Sequence, residues 1–333
     1  MNTTALVGAA YWAGVGAVGC AAWGGVLPGW AMQLVGWAAA RGKPTAGRAS
    51  HRGWTLPHGW FWHFYALGSA CTLLLLLAPR HTRRPRLLGW MLLAHSLRRL
   101  GESVWLASLR STARMSAPAY VFGLSFYVMA PLTVALVDDT AADRGVSPPW
   151  LGDALRTVGI AVFLYGSYHQ HVCHRYTSPP PLAFANPNPS RQVARMALCV
   201  HSCALALPDR YTLAIRALSY TPRPSSYAHR TLGRLRASKA NEENTARYGI
   251  PAGGWFDSIS CAHYTAEVVL YAGLACTAAA ACPPVEPVGA LPWLLLLAVT
   301  GNLGYSARAT HAWYLQHLPR YPRHRWAFIP YVC

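Results

Sequence analysis

Residues 5–27 read ALVGAAYWAGVGAVGCAAWGGVL, and within them Gly14, Gly16 and Gly19 spell G-x-G-x-x-G. Two readings compete for this stretch. As a dinucleotide fingerprint, the glycines would sit between a strand and a helix whose N-terminus meets a pyrophosphate. An acidic residue about 20 positions later would then hold the ribose. No strand pattern precedes Gly14, and the first acidic residue of the whole chain is Glu102. The alternative is a membrane-spanning helix, in which small residues let a second helix approach closely. The segment is long and apolar enough for that, so the glycines are expected to pack helices and to bind no nucleotide.

The rest of the chain extends this reading. Of its 333 residues, 53% are hydrophobic and only 12% charged, about half the charged share of a soluble domain. Fourteen tryptophans and 17 tyrosines suit a protein whose rings collect at the lipid–water boundary. The expected fold is all-α, a multi-pass transmembrane bundle of about seven helices, near 5–27, 60–79, 87–108, 118–137, 150–168, 261–282 and 290–310. No Lys or Arg precedes the first span, so it is expected to be a retained helix and not a signal peptide. A basic, Pro- and Ser-rich segment at about 176–246 interrupts the single domain spanning 1–333. Its prolines exclude a continuous helix, and part of it is expected to be disordered, with QVARMALCVHSCALAL a short amphipathic helix.

Charge placement gives an orientation. If the C-terminal tail is cytosolic, the loops at 28–58, 109–117 and 169–260 share its side, with most of the Lys and Arg. RHTRRPR at 80–86 runs against that pattern. The net charge of +18 is spread over many loops without a nucleic-acid module, so nucleic acid is not an expected partner. Membrane lipid head groups and a phosphorylated cofactor are. Nine cysteines, several in apolar spans, do not form a disulfide framework.

Ionisable groups inside a membrane are costly and mark function. The third span holds His95, Arg98, Arg99 and Glu102. Arg98 and Glu102 are four apart and pair along one face, which leaves Arg99 without a local partner and in want of an anion. The fifth span ends YGSYHQHVCHRYTS, with His169, His171, His174 and Arg175. These spacings match no zinc pattern, so no metal is expected, and neutral imidazoles with an arginine suit phosphate and ribose. His263 and Glu267 share a face of the sixth span, and Arg308, His311 and Tyr314 follow at steps of three in the seventh. Four span ends thus form an electropositive, partly dry cavity for a polyphosphorylated ligand.

At these residues the sequence resembles the steroid 5-alpha-reductase family, most closely its polyprenol reductase branch. The matching stretches are RGKPT, LPHGWFWHFYAL, SLRRLGES, YVFGLSFYVMAPLTV, SYHQHVCHR, RYGIPAGGWFDSISCAHYTAEVVLYAGLA and THAWYLQHLPRYP…FIPY, in that order. The resemblance implies an endoplasmic reticulum membrane enzyme with a 3-oxo-5-alpha-steroid 4-dehydrogenase-like domain and NADPH in a cytosol-facing cavity. Carried over to this chain, the cofactor contacts are Lys43, Arg99, His169, His171, Tyr248, His263, Glu267 and Tyr314, with Arg175, Arg308 and His311 as additions. Three departures stand out. Gly101 replaces an aromatic residue of the branch. Thr55 stands where steroid-reducing members have a glutamate, and Ser96 lies near the position of their tyrosine. The pair that activates a steroid carbonyl is therefore missing.

The implied reaction saturates the α-isoprene unit of a polyprenol or polyprenal in dolichol biosynthesis, supporting protein N-glycosylation. Hydride addition to an allylic alcohol leaves the new charge nowhere to go, whereas an enal accepts it on oxygen, so the polyprenal is the expected substrate. His63, Tyr65 and His311 are the candidate donors to that oxygen. Rival readings are a steroid or enoyl reductase, a membrane methyltransferase of prenylated substrates, and a transporter. The RYGIP loop departs from the methyltransferase pattern, and no inverted repeat supports transport.

Overall fold

A computed structural model describes residues 3–39, 54–79, 86–107, 114–140, 148–177 and 250–332. Eight α-helices occupy these segments: α1 (Thr3–Gly24), α2 (Gly29–Ala38), α3 (Trp62–Leu77), α4 (Leu87–Ala107), α5 (Ala117–Thr140), α6 (Pro149–Thr177), α7 (Ala262–Ala279) and α8 (Pro287–His317). Each of the seven expected spans is helical. α2 was not anticipated; it lies in what reads as the first basic loop. α6 also runs well past its expected end at 168. Four helical segments are long and apolar enough to cross a membrane: Thr3–Gly24, His58–Leu77, Ala117–Thr140 and Pro287–His317. The protein is a multi-pass helical membrane protein.

Two three-residue strands, β1 (Thr55–Pro57) and β2 (Arg114–Ser116), pair antiparallel with Thr55 opposite Ser116 and Pro57 opposite Arg114. They tie the segment before α3 to the segment before α5. Arg86, one of the basic residues that run against the charge pattern, donates to the carbonyls of Leu75, Leu76 and Ala78 and so closes the C-terminal end of α3. Across from it, the Asp138 carboxylate accepts from the backbone N–H groups of Leu88 and Gly89 at the start of α4.

Two helix pairs set the frame, α1 against α8 and α6 against α7. Glycine makes both possible. A methyl group at Gly19 would come within 3.0 Å of the Gly301 and Asn302 backbone, and one at Gly16 within 3.2 Å of Leu297. Gly14 has nothing within 4 Å. The G-x-G-x-x-G run is therefore a helix-packing surface, as the sequence predicts. Between α6 and α7 the approach is closer still: a methyl at Gly166 would lie 2.5 Å from the Leu270 amide nitrogen, and one at Gly273 2.3 Å from that of Phe163. The core between the pairs is apolar, with Trp12, Val134, Leu270, Leu274, Leu291 and Leu295 buried. The indole of Trp12 satisfies its one donor on Thr133 Oγ1 at 2.8 Å.

Gly166→Ala and Gly273→Ala should each force the α6 and α7 backbones apart and cost about 1–3 kcal/mol, seen as a lower melting temperature in detergent. Gly14→Ala should melt with the unmodified protein or slightly above it. Equal melting of all three variants would contradict the glycine-mediated contact.

Candidate functional site

At one end of the bundle the C-terminal turns of α4 and α6 meet the N-terminal turns of α3 and α7. Glu102 is the hub. At helical spacing, the residues three and four positions before it share its face, and these are Arg99 and Arg98. Arg98 Nη1 donates to Oε1 at 2.8 Å and Arg99 Nη1 to Oε2 at 2.5 Å. From α6, His171 Nδ1 reaches Oε1 at 2.9 Å and His174 Nδ1 reaches Oε2 at 2.7 Å. Each carboxylate oxygen thus faces one guanidinium and one imidazole.

The network continues on both sides. Arg98 also donates to Gln170 Oε1 and lies 3.3 Å from His95 Nδ1. His95 Nε2 in turn lies 3.3 Å from Glu267 Oε1 on α7. His95 and Gln170 are each only 1% exposed. Arg99 donates from Nε and Nη2 to the Tyr65 hydroxyl at 3.1 and 2.8 Å. Tyr127 of α5 packs edge-on against Tyr65, with ring centroids 5.1 Å apart.

This arrangement corrects one expectation. Arg99 is not left without a local partner, because a carboxylate has two oxygens and Glu102 serves both arginines. Two cations, Arg98 and Arg99, stand beside two carboxylates, Glu102 and Glu267, so with neutral imidazoles the cluster is charge-balanced. The side chain of Arg175, which the expected electropositive cavity also needs, lies outside the described residues. Buried hydroxyls of Ser96 on α4 and Ser167 on α6 have no hydrogen-bond partner among the described residues. Both lie on helices that carry the ion cluster, and their polar capacity is unused by the described residues.

The other expected site residues separate by helix face. His174 lies 5.7 Å from His263 between ring centroids, which brings His263 to the cluster. His169 points elsewhere and stacks on Trp255 at 4.4 Å with planes 11° apart. His63, two residues from Tyr65 and so on the far side of α3, bonds through Nδ1 to the Tyr120 hydroxyl at 2.8 Å. Arg308 parts from His311 and Tyr314, which both meet the ring of Tyr321. A step of three turns a helix about 60° short of a full circle, so two steps swing the side chain well away. Arg308 accordingly donates to the Trp23 carbonyl at the end of α1, at 2.7 Å. His311 bonds to Ser260 at 2.7 Å, and Tyr314 stacks on Tyr321 with centroids 4.9 Å apart. Lys43 and Tyr248 lie outside the described residues, as does the side chain of Arg175. Cys199–Cys203 and all but the first residues of the insertion at about 176–246 also lie outside them. Among the described residues no group of three His, Cys, Asp or Glu is placed to hold a metal ion.

Residues 223–333 match the family 3-oxo-5-alpha-steroid 4-dehydrogenase. A rice protein named polyprenal reductase 1 is 27% identical over 263 residues, covering 71% of this chain and 56% of its own length. Polyprenal reductase 1 of Arabidopsis thaliana is 28% identical over 88% of this chain and 86% of its own. The zebrafish (Danio rerio) polyprenal reductase is 25% identical over 74% of this chain and 60% of its own.

The chain is similar to the steroid 5-alpha-reductase family, with the family match lying over residues 223–333.

The chain spans little more than half the length of the rice relative. The family match includes His263, Glu267, Arg308, His311 and Tyr314. Sequence reasoning did not single out Gln170, Ser260 or Tyr321. Gln170 carries a faint signal, a polar residue set among the histidines of an otherwise apolar helix. Ser260 and Tyr321 carry none, because 61 residues separate the two side chains that bond to each other.

Replacing Glu102 by Gln removes the charge that holds two buried guanidinium groups and should cost about 3 kcal/mol or more, read as a lower melting temperature in detergent. Arg156→Gln, which breaks an exposed pair with Asp153, should cost less than about 1 kcal/mol. Equal melting of the two variants would mean that Glu102 does not hold α4 to α6.

Proposed function

We propose that this protein is an NADPH-dependent reductase of the endoplasmic reticulum membrane that saturates the α-isoprene double bond of a polyprenal. Its product would feed the dolichol series used in protein N-glycosylation. The observation that carries the reading is the buried Tyr65–Arg99–Glu102 network, closed by imidazoles of α6, in a chain whose relatives are named polyprenal reductases.

Members of the family use NADPH, and the residues present suit part of it. Charge balance makes the cluster a better partner for hydroxyls and an amide than for phosphate. Glu267, His263 and the unpartnered hydroxyls of Ser96 and Ser167 would hold the nicotinamide and its ribose. Phosphates fit the basic side, where Lys43 and Arg175 fall in the sequence. Bound NADPH supplies the hydride for the β-carbon of the enal.

The chain's own part is to stabilise the oxygen on which charge develops. Tyr65 accepts two N–H bonds from Arg99, which orients the hydroxyl; its proton goes to the neighbouring Tyr127 hydroxyl or to a ligand oxygen that takes its place. Donated to the enal oxygen, that hydrogen bond strengthens as the enolate forms, and the α-carbon then takes its proton. A steroid substrate is disfavoured because Thr55, which stands where steroid-reducing members have a glutamate, already accepts from Arg114 Nε at 2.7 Å. The isoprenoid tail needs no polar recognition and is at home in the bilayer.

Purified protein in detergent should consume NADPH when given polyprenal and yield the α-saturated aldehyde. Tyr65→Phe should lower kcat by roughly a hundredfold with little change in NADPH affinity. An unchanged rate would remove Tyr65 from the chemistry, and turnover of polyprenol with no aldehyde detectable would refute the enal as substrate.

A further inference from the structure

After α8 the chain folds back as a strap, residues 318–332, over the segment that leads into α7. Backbone bonds fix both sides of Ser260: its own N–H donates to the Trp326 carbonyl at 2.8 Å, and the Cys261 N–H donates to that of Ala327 at 3.2 Å. The Ser260 side chain, in a residue 3% exposed, has two partners. Tyr321 donates its O–H to Ser260 Oγ at 2.6 Å, and His311 Nδ1 lies 2.7 Å from the same oxygen. Tyr321 is itself held in place. Its ring stacks on Tyr314, and the Arg325 guanidinium lies over it at 5.4 Å while donating to the Pro251 carbonyl at 2.8 Å.

A serine hydroxyl has one proton. With the Tyr321 proton already directed at Ser260 Oγ, the Ser260 proton has one acceptor among the described residues, His311 Nδ1. Were Nδ1 to carry a hydrogen instead, the Ser260 proton would be buried without an acceptor, at a cost of about 1–3 kcal/mol. The relay therefore runs Tyr321 to Ser260 to His311, and it leaves the neutral imidazole with its hydrogen on Nε2.

We propose that Ser260 and Tyr321 are positioning residues that hold His311 in the Nε2–H tautomer, so that it serves as a hydrogen-bond donor to an oxygen of the bound substrate or cofactor. This rests on the reductase reading for the ligand, though not for the tautomer. The acceptor is either the enal oxygen or a carboxamide or phosphate oxygen of NADPH, and the two sources are separable by experiment.

The test uses full-length protein in nanodiscs with 15N-labelled histidine, the His311 signal being assigned by its loss in His311→Gln. In the unmodified protein His311 should show a bare Nδ1 and a protonated Nε2. Ser260→Ala and Tyr321→Phe should shift it towards a mixture of tautomers, and Ser260→Thr should restore the original state. A fall of about three- to tenfold in NADPH affinity places the acceptor on the cofactor, and the same fall in kcat at saturating NADPH places it on the aldehyde. An unchanged tautomer in Ser260→Ala overturns the relay and leaves the reductase reading standing. A shifted tautomer with both constants unchanged overturns the donor role. If unmodified protein consumes no polyprenal while the tautomer shifts as expected, the reductase reading fails and the relay stands.

Discussion

A carboxylate buried between helices loses its hydration and is tolerable only where donors replace the water. Glu102 meets that demand with four donors, two from its own helix and two from α6, divided evenly between its oxygens. The consequence reaches beyond one ion. Arg98 and Arg99 are drawn to the same acceptor, so Arg99 is held where its other nitrogens meet Tyr65 of α3. His171 and His174 face α4, which fixes the rotation of α6 about its axis. Three helices take their relative register from one side chain.

That register requires the backbones to come close, and glycine determines how close. α6 and α7 touch at Gly166 and Gly273 with no room for a methyl group. The contact lets the short imidazole of His174, anchored to α4 through Glu102, also lie beside His263 of α7. A wider gap would leave these side chains bridged by water or unpaired. The apolar contact in the middle of the bundle and the polar contact at its end are therefore one design, in which packing sets the distance and the ions set the angle.

The helices were legible because a membrane span announces itself by length and apolarity, a property of contiguous residues. The Arg98–Glu102 pair was legible for a similar reason, since spacing along one helix decides it. Contacts between helices were not. The pairing of Arg99 depended on Glu102 having a second oxygen in reach, and the diversion of Arg308 to the Trp23 carbonyl depended on α1 lying beside α8. Arg308, His311 and Tyr314 follow at steps of three, but such steps accumulate rotation, and over two of them Arg308 parts from Tyr314. α2 escaped notice because ten residues with no buried side chain are too few for a periodic signal.

The two donor candidates in reach of these networks, Tyr65 and His311, share a feature that His63 lacks. Tyr65 spends its acceptor capacity on Arg99 and retains an O–H to give. His311 spends the lone pair of Nδ1 on Ser260 and retains an N–H to give. In both, a neighbour occupies the accepting side, so the group meets a ligand only as a donor. The proposed reaction, in which charge builds on an oxygen, needs that polarity. His63 bonds instead to a tyrosine hydroxyl, which gives or accepts equally well, and its remaining nitrogen has no assigned sense. With Thr55 occupied by Arg114, the sense in which Tyr65 and His311 can meet a ligand is set by what stands behind them, and that separates these two candidates from His63.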